Sequence, residues 1–564
     1  MSGKARAALA RLLGIRARRE PPATEADRRF SLKVDESSLG WIAPGLIEES
    51  IRVSRDGRRL AYAAQEVYPL ARDNAMKGTF APGSVDPRKL DKALRESGGS
   101  IELTRETAKE LGITDDTPIL FGAEAGDKQF VVVNGERGPD YDGISTHSPV
   151  LSPNGERLAY GARVGGKWVV VVDGNESPRY DAICANSPVF SPDGHRIAYI
   201  ATSGDADVVM VDGIEVGRYS VASYGGPLFS PDGERIAYVA SVDGRRRFLV
   251  LDGVAGKEYD AIPVALFGRE RCAYVGTRGN ESFVVIDGIE SRAYHGVSKP
   301  VPSPDGRVGY VAELGGSQFL VLDDLIGRAY AAVGVPCFSP DGKEVAYAAS
   351  DGSRWFVVLN GEEGRRYERV HPKTIAFSSD GDRLGFAAFS GQRMMLVVDG
   401  QESGTYDQVA LGPSLFSPDG KRVGYVGMRG RKWFVVVDGH ESRRYEEASS
   451  PVFSAQGNHV AYSAKLRGGC FVVVDGDRGP RYDTVSCPVF SPDGEHVAYL
   501  ANRQGQTIVV IDGMEGPAYD RMAERVSLRF SASQEVHTVG WRDGRLYRVG
   551  LTVAEAKTEQ GQGC

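Results

Sequence analysis

The sequence predicts an all-β fold: tandem β-propellers of about twelve four-stranded blades, most simply two six-bladed rings, with a small helical insertion in the first blade. Three observations carry this expectation. Glycine supplies 70 of the 564 residues, well above the roughly 7% of average proteins. Inside a strand or helix each glycine costs about 0.5–1 kcal/mol against alanine, so most must sit in turns that need them. The run SPVFSPDGHRIAYI at 187–200 returns as GPLFSPDGERIAYV at 226–239 and CPVFSPDGEHVAYL at 487–500. No stretch of helical periodicity separates the copies, which excludes the helical solenoids.

Each copy reads as four short strands. An apolar pair such as Val189-Phe190 runs into the turn Ser191-Pro192-Asp193-Gly194. Proline presets φ at the second turn position, and glycine accepts positive φ near its end. RIAYIA, alternating apolar and polar, gives the second strand. A glycine turn leads to a third, such as WVVVVDG, and its Asp-Gly is a type I′ hairpin signal. That pair, or Asn-Gly, recurs at Asn134, Asp173, Asp212, Asp252, Asp287, Asn360, Asp399, Asp438, Asp475 and Asp512, with Asp323-Asp324 the one departure. The unit then ends on a tyrosine, often followed by aspartate, as at Tyr141, Tyr180 and Tyr219. A sheet this small is marginal alone and must stack on neighbours. Four strands at this spacing make a propeller blade.

The F-S-P-D-G-x-x-(I/V)-A-Y run resembles the WD-like propeller repeat of TolB and of the prolyl-oligopeptidase propellers, over most of residues 49–552. The resemblance implies architecture. The units end in Tyr-Asp where TolB has a Leu-Thr pair, and no TolB-like N-terminal domain or α/β-hydrolase domain is evident, so neither family's activity is implied.

The serines that open the turns step by 35–40 residues from Ser152 onward, except for a gap of 73 between Ser230 and Ser303 that hides one worn copy, FGRERCAY at 267–274. Counting blade starts gives a basic N-terminal tail at 1–28, a first propeller at 29–332, a second at 333–553 and a C-terminal tail at 554–564. Seven blades plus five is the alternative division. The last unit supplies three strands, and Phe30–Val34 is expected to complete it, removing an open sheet edge. The insertion at 66–117 reads as two helices, 87–97 and 105–111. Asp86, Pro87 and Gly98 punctuate the first, and Thr104 and Gly112 the second. It is expected either to carry binding or to cap one channel mouth.

Chemistry was sought position by position. GARVGGKW at 161–168 matches most of a phosphate loop, but Trp168 stands where a magnesium-binding Ser or Thr belongs and the segment joins two strands. The turn aspartates (Asp193, Asp232, Asp305, Asp341, Asp419, Asp493) read as caps of their own backbone, since no unit clusters the further oxygens calcium needs. His195, His459 and His496 read as solvated strand starts. The tryptophans Trp168, Trp355 and Trp433 read as inter-blade packing. Six cysteines lie far apart with no CxxC pair, which fits a reducing compartment. Catalytic residues, cofactor and metal are therefore all assigned as none. The loops entering the innermost strands carry His147, Asn186, Tyr224, Lys299, His371, Lys373 and Arg525, a candidate rim for a ligand or partner.

The net charge of −7 gives no case for nucleic-acid binding. No apolar run reaches the roughly 18 residues of a membrane helix. The N-terminal AALARLLGI is interrupted by Arg11 and followed by further arginines, unlike a signal peptide. The expectation is a cytoplasmic, monomeric, non-enzymatic scaffold for a protein or peptide partner. The alternatives are a propeller enzyme of lyase, cyclase or glycosidase type with a channel-mouth site, and a periplasmic or secreted TolB-like envelope protein.

Overall fold

The computed structural model describes residues 30–41, 52–53, 60–69, 78–80, 119–121 and 123–134, then 136–555 apart from 146–147, 221, 223–224, 413–414, 523–527, 533–534 and 544. Their strands form twelve antiparallel sheets of four or five strands and one two-stranded ladder. In chain order, sheet 1 spans 52–137, sheet 2 143–176, sheet 3 182–219, sheet 4 228–255, sheet 5 261–290 and sheet 6 296–326. Sheet 7 spans 332–363, sheet 8 369–402, sheet 9 408–441, sheet 10 447–478, sheet 11 484–519 and sheet 12 521–555. The protein is all-β, an array of propeller sheets.

Sheet 3 shows how the unit builds itself. The innermost pair Val189–Phe190 meets Ile197–Ser203, which pairs in turn with Ala206–Val211. At the first turn, Ser191 Oγ donates to Asp193 Oδ1 at 2.5 Å and accepts from the Arg196 amide at 2.9 Å, while Asp193 Oδ1 accepts from the His195 amide at 3.0 Å. The aspartate therefore caps its own turn, as the sequence predicts. At the hairpin, Asp212 has φ 51° and Gly213 φ 82°, the left-handed pair a type I′ turn requires. Asp212 Oδ1 also accepts from the Ile197 amide at 2.9 Å, so one side chain ties the outer hairpin to the start of strand two. Asp323 keeps the positive φ, at 52°, and its Oδ1 accepts from the Val308 amide at 3.1 Å, although the aspartate that follows it is not left-handed.

Sheets 2 to 11 bury both faces against their neighbours. Hydrophobic clusters join every consecutive pair from sheet 1 to sheet 12. Small residues at one repeat position, including Ala159, Ala198, Ala237, Ala346 and Ala498, are fully buried and let sheets approach. Tyrosines lock the contact. Tyr180 of sheet 2 meets Tyr199 of sheet 3 edge-on with ring centroids 6.0 Å apart, and the same pair recurs as Tyr259–Tyr274, Tyr406–Tyr425 and Tyr445–Tyr462. The core between sheets 6 and 7, with Leu320, Tyr330, Val345, Tyr347 and Phe356, is built like the rest. No change of packing marks the expected division at 332/333.

An arginine fastens one end of several boundaries. Arg196 Nε donates to Asp212 of its own sheet at 2.9 Å, its Nη1 donates to the Glu234 carbonyl of sheet 4 at 2.6 Å, and its guanidinium lies 5.5 Å from the Phe229 ring centroid. Arg157, Arg383 and Arg422 repeat the arrangement. His459 and His496 occupy this position in sheets 10 and 11, with Nδ1 2.6 Å from Asp475 and Asp512 respectively. His496 is buried, so its reading as a solvated strand start is corrected; both it and the more exposed His459 take the arginine's place within the sheet.

The strand Phe30–Trp41 pairs along Arg545–Glu555, from Phe30 opposite Glu555 to Trp41 opposite Arg545. The N-terminal segment thus completes sheet 12, and over a longer stretch than Phe30–Val34. In sheet 1, strands Leu60–Pro69 and Ala123–Val133 stay paired out to Pro69 opposite Ala123, so the insertion leaves the sheet beyond residue 66. Within it Gly78–Phe80 pairs with Ile119–Phe121, and the helices expected at 87–97 and 105–111 lie outside the described residues, as do the tails 1–28 and 556–564.

Deleting residues 1–40 is expected to lower the melting temperature sharply in differential scanning calorimetry, because it strips the outer strand from sheet 12. An unchanged transition would show that this strand contributes nothing. Arg196→Ala should cost about 1–3 kcal/mol in urea unfolding, from the lost charged hydrogen bonds and the orphaned carbonyls of sheet 4, and Arg196→Lys should recover only part of it because a single ammonium cannot span both sheets.

Candidate functional site

The innermost strand of most sheets comes in two pieces, both paired to strand two. In sheet 3 these are Ala182–Ile183 and Val189–Phe190. The break between them leaves a strand-two amide without a ladder partner, and a hydroxyl fills the gap. Ser187 Oγ accepts from the Ile200 amide at 3.0 Å, and Ser148 does the same for Gly161, Ser298 for Val311, Thr374 for Ala387, Ser449 for Ser463 and Ser486 for Leu500. The candidate rim residues stand beside these hydroxyls.

Four of the seven fall on described residues. Asn186, exposed and with φ 60°, precedes Ser187, and a Cβ at Gly226 of the next loop would lie 3.0 Å from its carbonyl. Lys299 is exposed after Ser298, its carbonyl accepting the Ser298 hydroxyl at 3.1 Å. His371 and Lys373 share one turn, the 3-10 segment Pro372–Thr374 lying just after His371. The His371 amide donates to the Ala387 carbonyl at 2.9 Å, its own carbonyl accepts the Thr374 hydroxyl at 2.7 Å, and its buried Nδ1 has no hydrogen-bond partner. Lys373 is exposed beside it. His147, Tyr224 and Arg525 lie outside the described residues. Only His371 and Lys373 are brought together; Asn186 and Lys299 belong to sheets 3 and 6.

The acid that follows the unit-ending tyrosine escaped the sequence reading. Asp181 Oδ2 accepts from the Gly204 amide of sheet 3 at 2.9 Å, and Asp142, Asp260, Asp407 and Asp483 serve the glycine turns of their following sheets in the same way. Glu368 and Glu446 replace it in sheets 8 and 10. Its signal was present, a Tyr-Asp recurrence, but its partner lies more than twenty residues ahead. Lys167 and the Gly204 amide together hold the Asp181 carboxyl below its usual range. Lys128 and the Gly165 amide do so for Asp142.

Burial between sheets 4 and 5 pushes the Cys272 thiol up to about 12, which keeps it protonated and inert. Among the described residues, no three or more His, Cys, Asp or Glu side chains group as a metal site. Clefts of about 630, 610 and 500 Å³ open between sheets 2 and 3, 4 and 5, and 10 and 11, each beside an Asp-Gly hairpin. Their equivalence makes them a product of the stacking.

One group of side chains does depart from the repeat. The residue after the hairpin is Ile214 in sheet 3, Val254 in sheet 4, Ile289 in sheet 5 and Leu325 in sheet 6, exposed at 67%, 72%, 74% and 75%. Ile326 and Val216 on the same outer strands are exposed too. Elsewhere that position holds Glu136, Asn175, Glu362, Gln401, His440, Asp477 and Met514. Sequence inspection passed over it because the hairpin beside it reads the same with either residue type.

No known family model matches the chain, and no curated protein matches it. Among solved structures, TolB from Acinetobacter baumannii is similar at 12% identity, over 50% of this chain and 80% of its own, with a TM-score of 0.20. The putative TolB from Agrobacterium tumefaciens is similar at 14%, over 41% and 94%, with a TM-score of 0.21. The Dos1 propeller shows 9% identity over 57% and 90%, with a TM-score of 0.25. The chain has a β-propeller fold. The sheets themselves carry that assignment, and the likenesses extend no further.

Ser148→Ala should destabilise the protein by about 1–3 kcal/mol in urea unfolding, since Ser148 is 1% exposed and its loss leaves the Gly161 amide buried and unbonded. A cost near zero would mean the hydroxyl is not what satisfies that amide.

Proposed function

We propose that this protein is a non-enzymatic scaffold that holds a protein or peptide partner against the outer rim of sheets 3 to 6. The observation that carries the reading is the register of Ile214, Val254, Ile289 and Leu325: four large aliphatic side chains, each at least two-thirds exposed, at one repeat position in four consecutive sheets. Single exposed aliphatics are ordinary on protein surfaces. Four at one repeat position in successive sheets depart from that ordinary scatter, and exposed apolar surface beyond it marks interaction sites. The outer strands that carry it, such as Ile214–Tyr219, end their sheets among the described residues, so backbone groups lie beside the aliphatics for an extended segment to pair with. The partner this surface fits is a polypeptide presenting apolar side chains.

The test is the quadruple variant I214D/V254D/I289D/L325D. Its exposed positions should leave the melting temperature near that of the parent. Partners recovered with the parent from its native cell extract are purified, and their affinity for both proteins is measured by calorimetry. Binding should weaken at least tenfold in the variant; equal affinity would refute the rim as the recognition surface. A second variant joining Pro69 to Ala123 by a short turn removes the insertion and should bind as the parent does.

A further inference from the structure

We infer that the twelve sheets close into one continuous ring, sealed where sheet 12 meets sheet 1. Eleven consecutive boundaries are packed alike, including that between sheets 6 and 7, so only two sheet faces have no neighbour assigned: the leading face of sheet 12 and the trailing face of sheet 1. Strand alternation identifies what they carry. In Glu535–Arg542, Val536 belongs to the core shared with sheet 11, and a Cβ at Gly540 would lie 2.8 Å from Tyr519 of that sheet. Val539 and Trp541 therefore point the other way. In sheet 1, Ala61, Ala63 and Val131 pack on sheet 2, so Phe130 and Val132 point away from it.

All four should be solvent-exposed if the stack were open. Instead Val539 is 1% exposed, Trp541 5%, and Phe130 and Val132 6% each. Terminal repeats of open arrays carry polar outer faces, and these carry Phe, Val and Trp. Phe130 also sits at the repeat position of Phe283, Phe319 and Phe356, each of which stacks against a tyrosine of the sheet before it. A phenylalanine at that place calls for a preceding sheet.

The connectivity agrees. Phe30–Trp41 occupies the outermost place of sheet 12, beyond Arg545–Glu555, and the chain then passes to Arg52–Val53, the innermost strand of sheet 1. That outer-to-next-inner step is the one made at the other boundaries, as from Asn175–Glu176 of sheet 2 to Ala182–Ile183 of sheet 3. The N-terminal strand therefore makes sheet 1 the successor of sheet 12. Two separate six-sheet rings would need sheets 1 and 6 to face each other, and the face of sheet 6 that this contact would use is occupied by sheet 7.

Electron microscopy of the full-length protein tests the closure. Class averages should show one ring of twelve spokes around a single opening; two rings side by side, or an arc with a gap, would overturn it. Thermal unfolding of seam variants gives a second readout. Phe130→Asp and the milder Phe130→Ala should both lower the melting temperature of the single cooperative transition by several degrees. Phe130→Ala left at the parental melting temperature would mean that no sheet covers this face.

Discussion

Everything in this molecule depends on the contact between one four-stranded sheet and the next. A sheet whose outermost strand is two residues long, as in Asn175–Glu176 or Gln401–Glu402, buries too little to stand alone. It persists because both faces are covered. The contact is organised at three depths. Tyrosine pairs and small residues fill its middle, the Arg196-type guanidinium reaches across at the end where the Pro-Asp-Gly turns lie, and at the other end Asp181, where the chain enters the next sheet, caps that sheet's glycine turn while Lys167 of the preceding sheet bonds to it. A sheet is thereby gripped at both ends and along its core, which fixes the angle at which the next must sit.

The arginine and the aspartate do different physical work. The guanidinium has five donors in a planar fork, so it can satisfy its own hairpin aspartate while bonding carbonyls of the following turn and lying against that sheet's phenylalanine. The carboxylate only accepts, and it takes the amide of a tight turn whose donor residue, Gly204 or Gln504, has positive φ. Donor at one end and acceptor at the other give each boundary a polarity. The stack consequently runs in one direction, and every sheet offers the same leading and trailing faces.

This explains what could be read from sequence and what could not. The turns were legible because their bonds are local: Ser191, Asp193 and the His195 amide lie within five residues of one another, and Asp212-Gly213 declares a type I′ hairpin by itself. The strand order and the closing N-terminal strand followed from counting. The Arg196, His496 and Asp181 positions were misjudged or passed over because each finds a partner sixteen or more residues away, and to a local reading a charged residue after a turn is a solvated one. The division into rings was invisible for the same reason. A repeat spells out how a unit meets its successor and says nothing of how many units pass before the first is met again. Of the four described rim residues, His371 and Lys373 are neighbours in one turn, while Asn186 and Lys299 stand on the loops of other sheets.

Function in such a scaffold belongs to positions that the stacking leaves free. A side chain that serves its own turn and the next sheet, as Asp212 or Arg196 does, cannot vary without loss, so its recurrence reports architecture alone. The residue after each hairpin touches neither constraint. Glu136, Glu362, Gln401 and Asp477 show that a polar side chain fits that place, and water would reward one there. Ile214, Val254, Ile289 and Leu325 are therefore not imposed by the fold. Four successive sheets expose aliphatic surface where the geometry would accept a charge, which is the ground for the proposed polypeptide partner.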